Sequence, residues 1–126
     1  MTKLETILCV DDDPEVGQAL EAALSEAFTV FLAEDCQEAL TLIEATKPDL
    51  FLVDLVLPEI SGPDTLDALQ ACLGFHETPG ILLTANSQFA TFSEARPPQL
   101  LGVITKPFDP AQLRERVIKL WDTYMT

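Results

Sequence analysis

Short apolar runs alternate along the chain with longer stretches in which apolar residues recur every three or four positions. The runs are Thr6–Val10, residues 28–33, Leu50–Asp54, Gly80–Thr84 and residues 101–104. None shows strict apolar–polar alternation, so each is expected to be a strand covered on both faces, as in a parallel sheet. Between them, Val16, Leu20, Ala23, Leu24 and Ala27 fall at helical spacing, as do Ala39, Leu40 and Ile43. Leu66, Leu69 and Leu73 continue the pattern, and Leu113, Val117, Leu120, Trp121 and Tyr124 close the chain. Asp13-Pro14 and Asp109-Pro110 each set a capping carboxylate before a proline in the first helical turn, and Ser61 offers a third cap. Residues 87–96 are compact and polar, and Pro97-Pro98 must end them, so the fourth helix is expected to be short or irregular. The alternation predicts an α/β domain: a five-stranded parallel sheet, doubly wound by helices on both faces.

Composition narrows the partners. The 126 residues suit one domain, and 48% apolar content suffices for a packed core. A net charge of −14, with only seven Lys and Arg, argues against a direct nucleic-acid reader, whose affinity rests on cations. Arg114, Arg116 and Lys119 are expected to form only a solvated strip on the last helix. Cys9, Cys36 and Cys72 show neither paired nor metal-ligand spacing, which suits buried thiols in a reducing compartment. The segment Met1-Thr2-Lys3-Leu4-Glu5 is too polar for a signal peptide. No apolar run approaches the roughly 20 residues that span a bilayer, so a cytoplasmic location without a membrane partner is expected.

In an open α/β sheet, chemistry gathers at the carboxyl ends of the strands. There the first run ends in Asp11-Asp12-Asp13, the third in Asp54 and the fourth in Thr84, while the fifth leads to Lys106. Each residue alone has an ordinary explanation: Asp13 as a cap, Asp54 as a turn aspartate, Thr84 as a strand residue, Lys106 as a solvated charge. Together they form an acidic edge that repels itself unless a cation neutralises it. Two or three carboxylates match the oxygen preference of Mg²⁺. Thr84 supplies a hydroxyl and Lys106 a point charge for phosphate oxygens, which leaves Asp54 as the nucleophile.

These residues carry a resemblance that covers the whole chain. Ile7 to Pro14 (ILCVDDDP), Pro48 to Pro58 (PDLFLVDLVLP) with Gly62, Ile81 to Ala85 (ILLTA) and Lys106-Pro107-Phe108 resemble, in order and separation, a response-regulator receiver domain. The resemblance implies a flavodoxin-like receiver fold and a phosphorelay role. Asp54 would be phosphorylated by a histidine kinase or a histidine phosphotransfer protein, and a downstream protein, not named by the sequence, would read the change. Mg²⁺, with Mn²⁺ as a substitute, would be held by Asp12, Asp54 and the backbone carbonyl of Val56, with Asp11 acting mainly through water. Thr84, Lys106 and the backbone of Ala85 would contact the phosphoryl group. The chain would be a stand-alone receiver over residues 1–126, monomeric or weakly dimeric, and not an enzyme beyond its own phosphoryl transfer and dephosphorylation.

Two departures bear on output. Many receivers carry an aromatic residue three positions before the lysine, where it swings with the switch threonine; here that position is Val103. The Pro97-Pro98 break also shortens the usual output segment, so activation is expected to reorder residues 84–99 instead. Val56, two after the acceptor, has no group to orient a hydrolytic water, so the phosphoryl lifetime is expected to be neither extremely short nor extremely long. Three rival readings fit parts of the same pattern. A haloacid-dehalogenase-type phosphatase, with Asp11 as nucleophile and Asp13 as acid, leaves Asp54 without a task. A phosphorylation-independent interaction module has no reason to keep costly clustered carboxylates. A receiver excised from a longer hybrid kinase or regulator would share all the same residues.

Overall fold

In the computed structural model, residues 3–85 and 99–126 are described. The strands are β1 (Thr6–Val10), β2 (Thr29–Ala33), β3 (Leu50–Asp54), β4 (Gly80–Thr84) and β5 (Leu100–Thr105). The helices are α1 (Pro14–Leu24), α2 (Cys36–Thr46), α3 (Gly62–Gln70) and α4 (Pro110–Met125). All strand pairs are parallel, in the order β2-β1-β3-β4-β5. The order reverses between β1 and β3, so the loops leaving those two strands diverge and open a crevice at their carboxyl ends.

Strand pleating divides the core into two layers. Ile7, Cys9, Leu50, Leu52, Ile81 and Leu83 face α1 and α4, where Leu20, Leu24, Leu113 and Val117 meet them. Leu8, Val10, Phe51, Val53 and Leu82 point the other way, onto Ala39 and Ile43 of α2 and Leu66 and Leu69 of α3. Burial on both faces holds for β3 and β4 in full and for β1 after Thr6. β2 and β5 are half-buried because they are the sheet edges. The expected caps form: Asp13 accepts from the Glu15 amide, Ser61 from Asp64 and Asp109 from Gln112.

Three details differ from the sequence pattern. Ala27 lies beyond α1 and Leu73 beyond α3, and both are exposed, Leu73 at 85%. Arg114 leaves the basic strip and reaches across to Glu26 (3.2 Å) and the Ala23 carbonyl (3.4 Å). Residues 87–96 and Pro97-Pro98 lie outside the described residues. Cys9 and Cys36 are buried, Cys72 is half-buried, and all three are free thiols. Among the described residues no helix is long and apolar enough to cross a membrane.

Gly17 sits buried inside α1, where glycine weakens a helix by about 1 kcal/mol relative to alanine. A Cβ there would meet only the Leu32 Cδ1 atom, at an ordinary 3.5 Å. Gly17→Ala is therefore expected to stabilise the protein by about 0.5–1 kcal/mol, read as a higher urea midpoint. A lower midpoint would mean that Leu32 has no freedom to accept the methyl.

Candidate acidic site

The crevice is built by four strand ends. Asp11 follows β1, and its amide is fixed by the Ala33 carbonyl at 3.0 Å. Asp54 closes β3, and the next amide, Leu55, donates to the Leu83 carbonyl at 2.7 Å. Thr84 closes β4 and accepts at its carbonyl from the Lys106 amide, also at 2.7 Å. These backbone bonds hold residues far apart in sequence against one another before any side chain is counted.

The side chains converge. One carboxylate oxygen from each of Asp11, Asp12 and Asp54 lies within 4.8 Å of the others; Asp11 and Asp54 are buried and Asp12 is exposed. Lys106 Nζ stands 2.8 Å from Asp11 Oδ2 and 3.4 Å from Asp54 Oδ1. The other Asp11 oxygen accepts from the Asp13 amide at 2.9 Å, and Asp54 Oδ1 is 3.4 Å from the Val56 amide. Thr84 is buried, Ala85 is exposed, and Val56 is 74% exposed beside Asp54. Val103 pairs with Leu82 and packs half-buried on the α2–α3 side of the sheet. The structure thus brings together the acidic and basic residues singled out by sequence.

Burial, then the neighbouring Asp11 charge, raises the Asp54 carboxyl above its ordinary pKa, against the opposing pull of Lys106 and the Val56 amide. For Lys106, burial works to lower the pKa. The hydrogen bond to Asp11 and the attraction of both carboxylates outweigh it, so the ammonium is held more firmly charged than usual. Burial, helped by Asp11 and Glu21, pushes the Cys9 thiol up, so it stays protonated and unreactive beneath the site. Among the described residues, three carboxylates against one ammonium give a negative site of hard oxygen donors, which fits a small divalent cation such as Mg²⁺.

An aspartate whose pKa is raised on folding costs stability wherever it is ionised. For Asp54 the cost is absent below the unfolded value of 3.8, grows as the pH rises through the folded value, and is complete above it. Asp54→Asn is expected to stabilise the chelator-treated protein by about 1 kcal/mol at neutral pH. The gain should fade as the pH approaches 3.8, which thermal unfolding at several pH values will show. A gain independent of pH would assign the effect to packing instead of charge.

One residue has a role that sequence reasoning did not supply. Gly62 packs so tightly under β3 that a Cβ would lie 2.1 Å from the Asp54 carbonyl oxygen and 2.7 Å from Leu55 Cα. Its amide donates to the Leu55 carbonyl at 2.9 Å, tying the start of α3 to the turn that follows Asp54. A weak signal was present, since a poor helix former stands in the first turn of a well-capped helix.

The profile of the family described as response regulator receiver domain matches residues 7–118. DNA-binding response regulator MtrA of Mycolicibacterium smegmatis is 34% identical over 117 residues, covering 92% of this chain and 50% of that protein. Transcriptional regulatory protein CpxR of Escherichia coli strain K12 is 36% identical over 122 residues, covering 90% of this chain and 48% of that one. The chain spans about half the length of these relatives. Among solved structures, response regulator TrrA from Thermotoga maritima, in complex with Mg(2+)-BeF, aligns with a TM-score of 0.76 at 29% identity, covering 92% of this chain and 98% of that one.

Proposed function

The chain belongs to the response regulator receiver domain family, and from that premise we propose that it accepts a phosphoryl group on Asp54 and changes partner binding in response. The observation that carries this reading is the placement of Asp54: a buried carboxylate at a strand end, 3.4 Å from Lys106 and grouped with Asp11 and Asp12. The donor is a phosphohistidine on a histidine kinase or a histidine phosphotransfer protein. The phosphorus–nitrogen bond breaks, an acyl phosphate forms on an Asp54 oxygen, and the imidazole leaves with its electron pair.

Such transfer requires mainly positioning and neutralisation of charge on the phosphoryl oxygens. Asp11, Asp12, Asp54 and the Val56 carbonyl would hold Mg²⁺, or Mn²⁺ in its place, and the cation would supply that neutralisation. Lys106 contributes a second positive charge from the opposite wall. Thr84 donates its hydroxyl and Ala85 its amide to the product. A shallow apolar hollow of about 400 Å³, bordered by Val16, Ala19, Pro107 and Phe108, adjoins Lys106 and offers the donor protein a surface beside the acceptor. The DNA binding named for MtrA belongs to that longer protein and is not assigned to this chain.

Incubation with acetyl phosphate and Mg²⁺, followed by intact-mass measurement, is expected to show one added phosphoryl group. It should be absent in Asp54→Asn and in the presence of EDTA. No adduct under these conditions would replace the proposal with that of a phosphorylation-independent interaction module.

A further inference from the structure

The amino ends of the strands carry a second concave feature, at the pole opposite Asp54. A cavity of about 840 Å³ is lined by residues that precede β3 and β4, by residues 74–78 and by the last turns of α4. Five residues of β3, at about 3.3 Å each, separate it from the acceptor. Its volume lies in the range of ligand sites.

The lining is aromatic and acidic. The Trp121 and Tyr124 rings are tilted by 46° with centroids 6.3 Å apart, Tyr124 half-buried and Trp121 buried, and the buried Phe75 also lines the cavity. Asp49 and Glu77 supply the carboxylates of the lining, His76 stands beside Glu77, and among the described residues no Lys or Arg lines the cavity. The walls are pre-set. Asp49 Oδ2 accepts from the Thr6 amide at 2.9 Å and the Glu5 amide at 3.1 Å, and the Tyr124 hydroxyl donates to the Glu77 carbonyl at 3.2 Å. A fixed carboxylate at Asp49, a second, exposed carboxylate at Glu77 and the half-buried Tyr124 ring suit a planar cation, which lies against the ring and is held by the acids.

We propose that this groove binds an arginine side chain presented by a partner protein. Because the groove lies away from the acceptor site, the contact serves as a tether that holds the partner whether or not Asp54 is phosphorylated. The inference goes beyond the receiver reading and does not depend on it.

The probe is a short acetylated peptide with one arginine flanked by leucines, compared with its citrulline counterpart, which keeps the shape and lacks the charge. Trp121 is the single tryptophan, so its emission reports occupancy directly, and amide NMR shifts locate the peptide. Asp49→Asn preserves a carbonyl oxygen for the Thr6 and Glu5 amides while removing the charge. Combined with Glu77→Gln it is expected to weaken binding about tenfold, as should citrulline. Asp54→Asn should bind as the unaltered protein does. Shifts centred on Asp11, Asp12 and Asp54, equal binding of the citrulline peptide, or no saturable change at Trp121 would each overturn the proposal.

Discussion

Replacing Lys106 with methionine is expected to destabilise the metal-free protein by about 3 kcal/mol, because it strands a buried charge. The Asp11 side chain is 1% exposed, and Lys106 is its cationic partner at 2.8 Å. Methionine fills similar space and offers no charge, so the loss isolates electrostatics from packing. Among the described residues Lys106 is also the cation beside Asp54, so the same step leaves the two carboxylates next to one another without it. Mg²⁺ should recover part of the loss, since a dication satisfies the same oxygens. Phosphorylation by acetyl phosphate should slow by about tenfold or more even with Mg²⁺ present, because the second positive charge on the product is gone. Lys106→Arg should keep most of the stability but not the rate, since a forked guanidinium does not reproduce a compact ammonium. Urea midpoints in EDTA and in Mg²⁺, with initial rates from mass spectrometry, test each part. An unchanged midpoint in EDTA would mean that the Lys106–Asp11 contact contributes no net stability.

That contact marks a boundary of what sequence reading reaches. The acids and the lysine were legible because strand ends are where an open α/β sheet places its chemistry, and the apolar runs located those ends closely. Whether Lys106 rests nearer Asp11 or Asp54 depends on how β5 registers against β4, which no local pattern encodes. The edge strands show the same limit. Thr29–Ala33 is as apolar as Leu50–Asp54, yet only strand order decides that β2 has one open side. Ala27 and Leu73 continued a helical period past the true ends of α1 and α3, and neither helix closes on a glycine or proline that would have announced the stop. Val103 packs half-buried against the α2–α3 side of the sheet, and the expected reordering of residues 84–99 falls mostly outside the described residues.

Gly62→Ala should have the opposite sign from Gly17→Ala, although helix propensity favours alanine at both positions by about 1 kcal/mol. At Gly17 the new methyl meets the end of one side chain. At Gly62 its three nearest contacts, at 2.1, 2.7 and 2.8 Å, are all backbone atoms of Asp54 and Leu55, and these cannot swing aside as a side chain does. The requirement for glycine is space and not conformation, because the start of α3 has ordinary helical geometry. Relief demands that α3 lift away or that the end of β3 shift, and either breaks the Gly62–Leu55 hydrogen bond. The expected cost is about 2–3 kcal/mol, with phosphorylation lost even in the folded fraction. Moving the Asp54 carbonyl displaces both its carboxylate and the Val56 carbonyl from the positions in which, under the proposed function, they would hold the cation and the phosphoryl group. Urea unfolding of both alanine variants, with adduct yield from acetyl phosphate measured on each, makes Gly17→Ala the control for any general effect of an added methyl. Full phosphorylation of Gly62→Ala at an unchanged midpoint would show that the turn after Asp54 yields without cost, and that Gly62 does not position the acceptor.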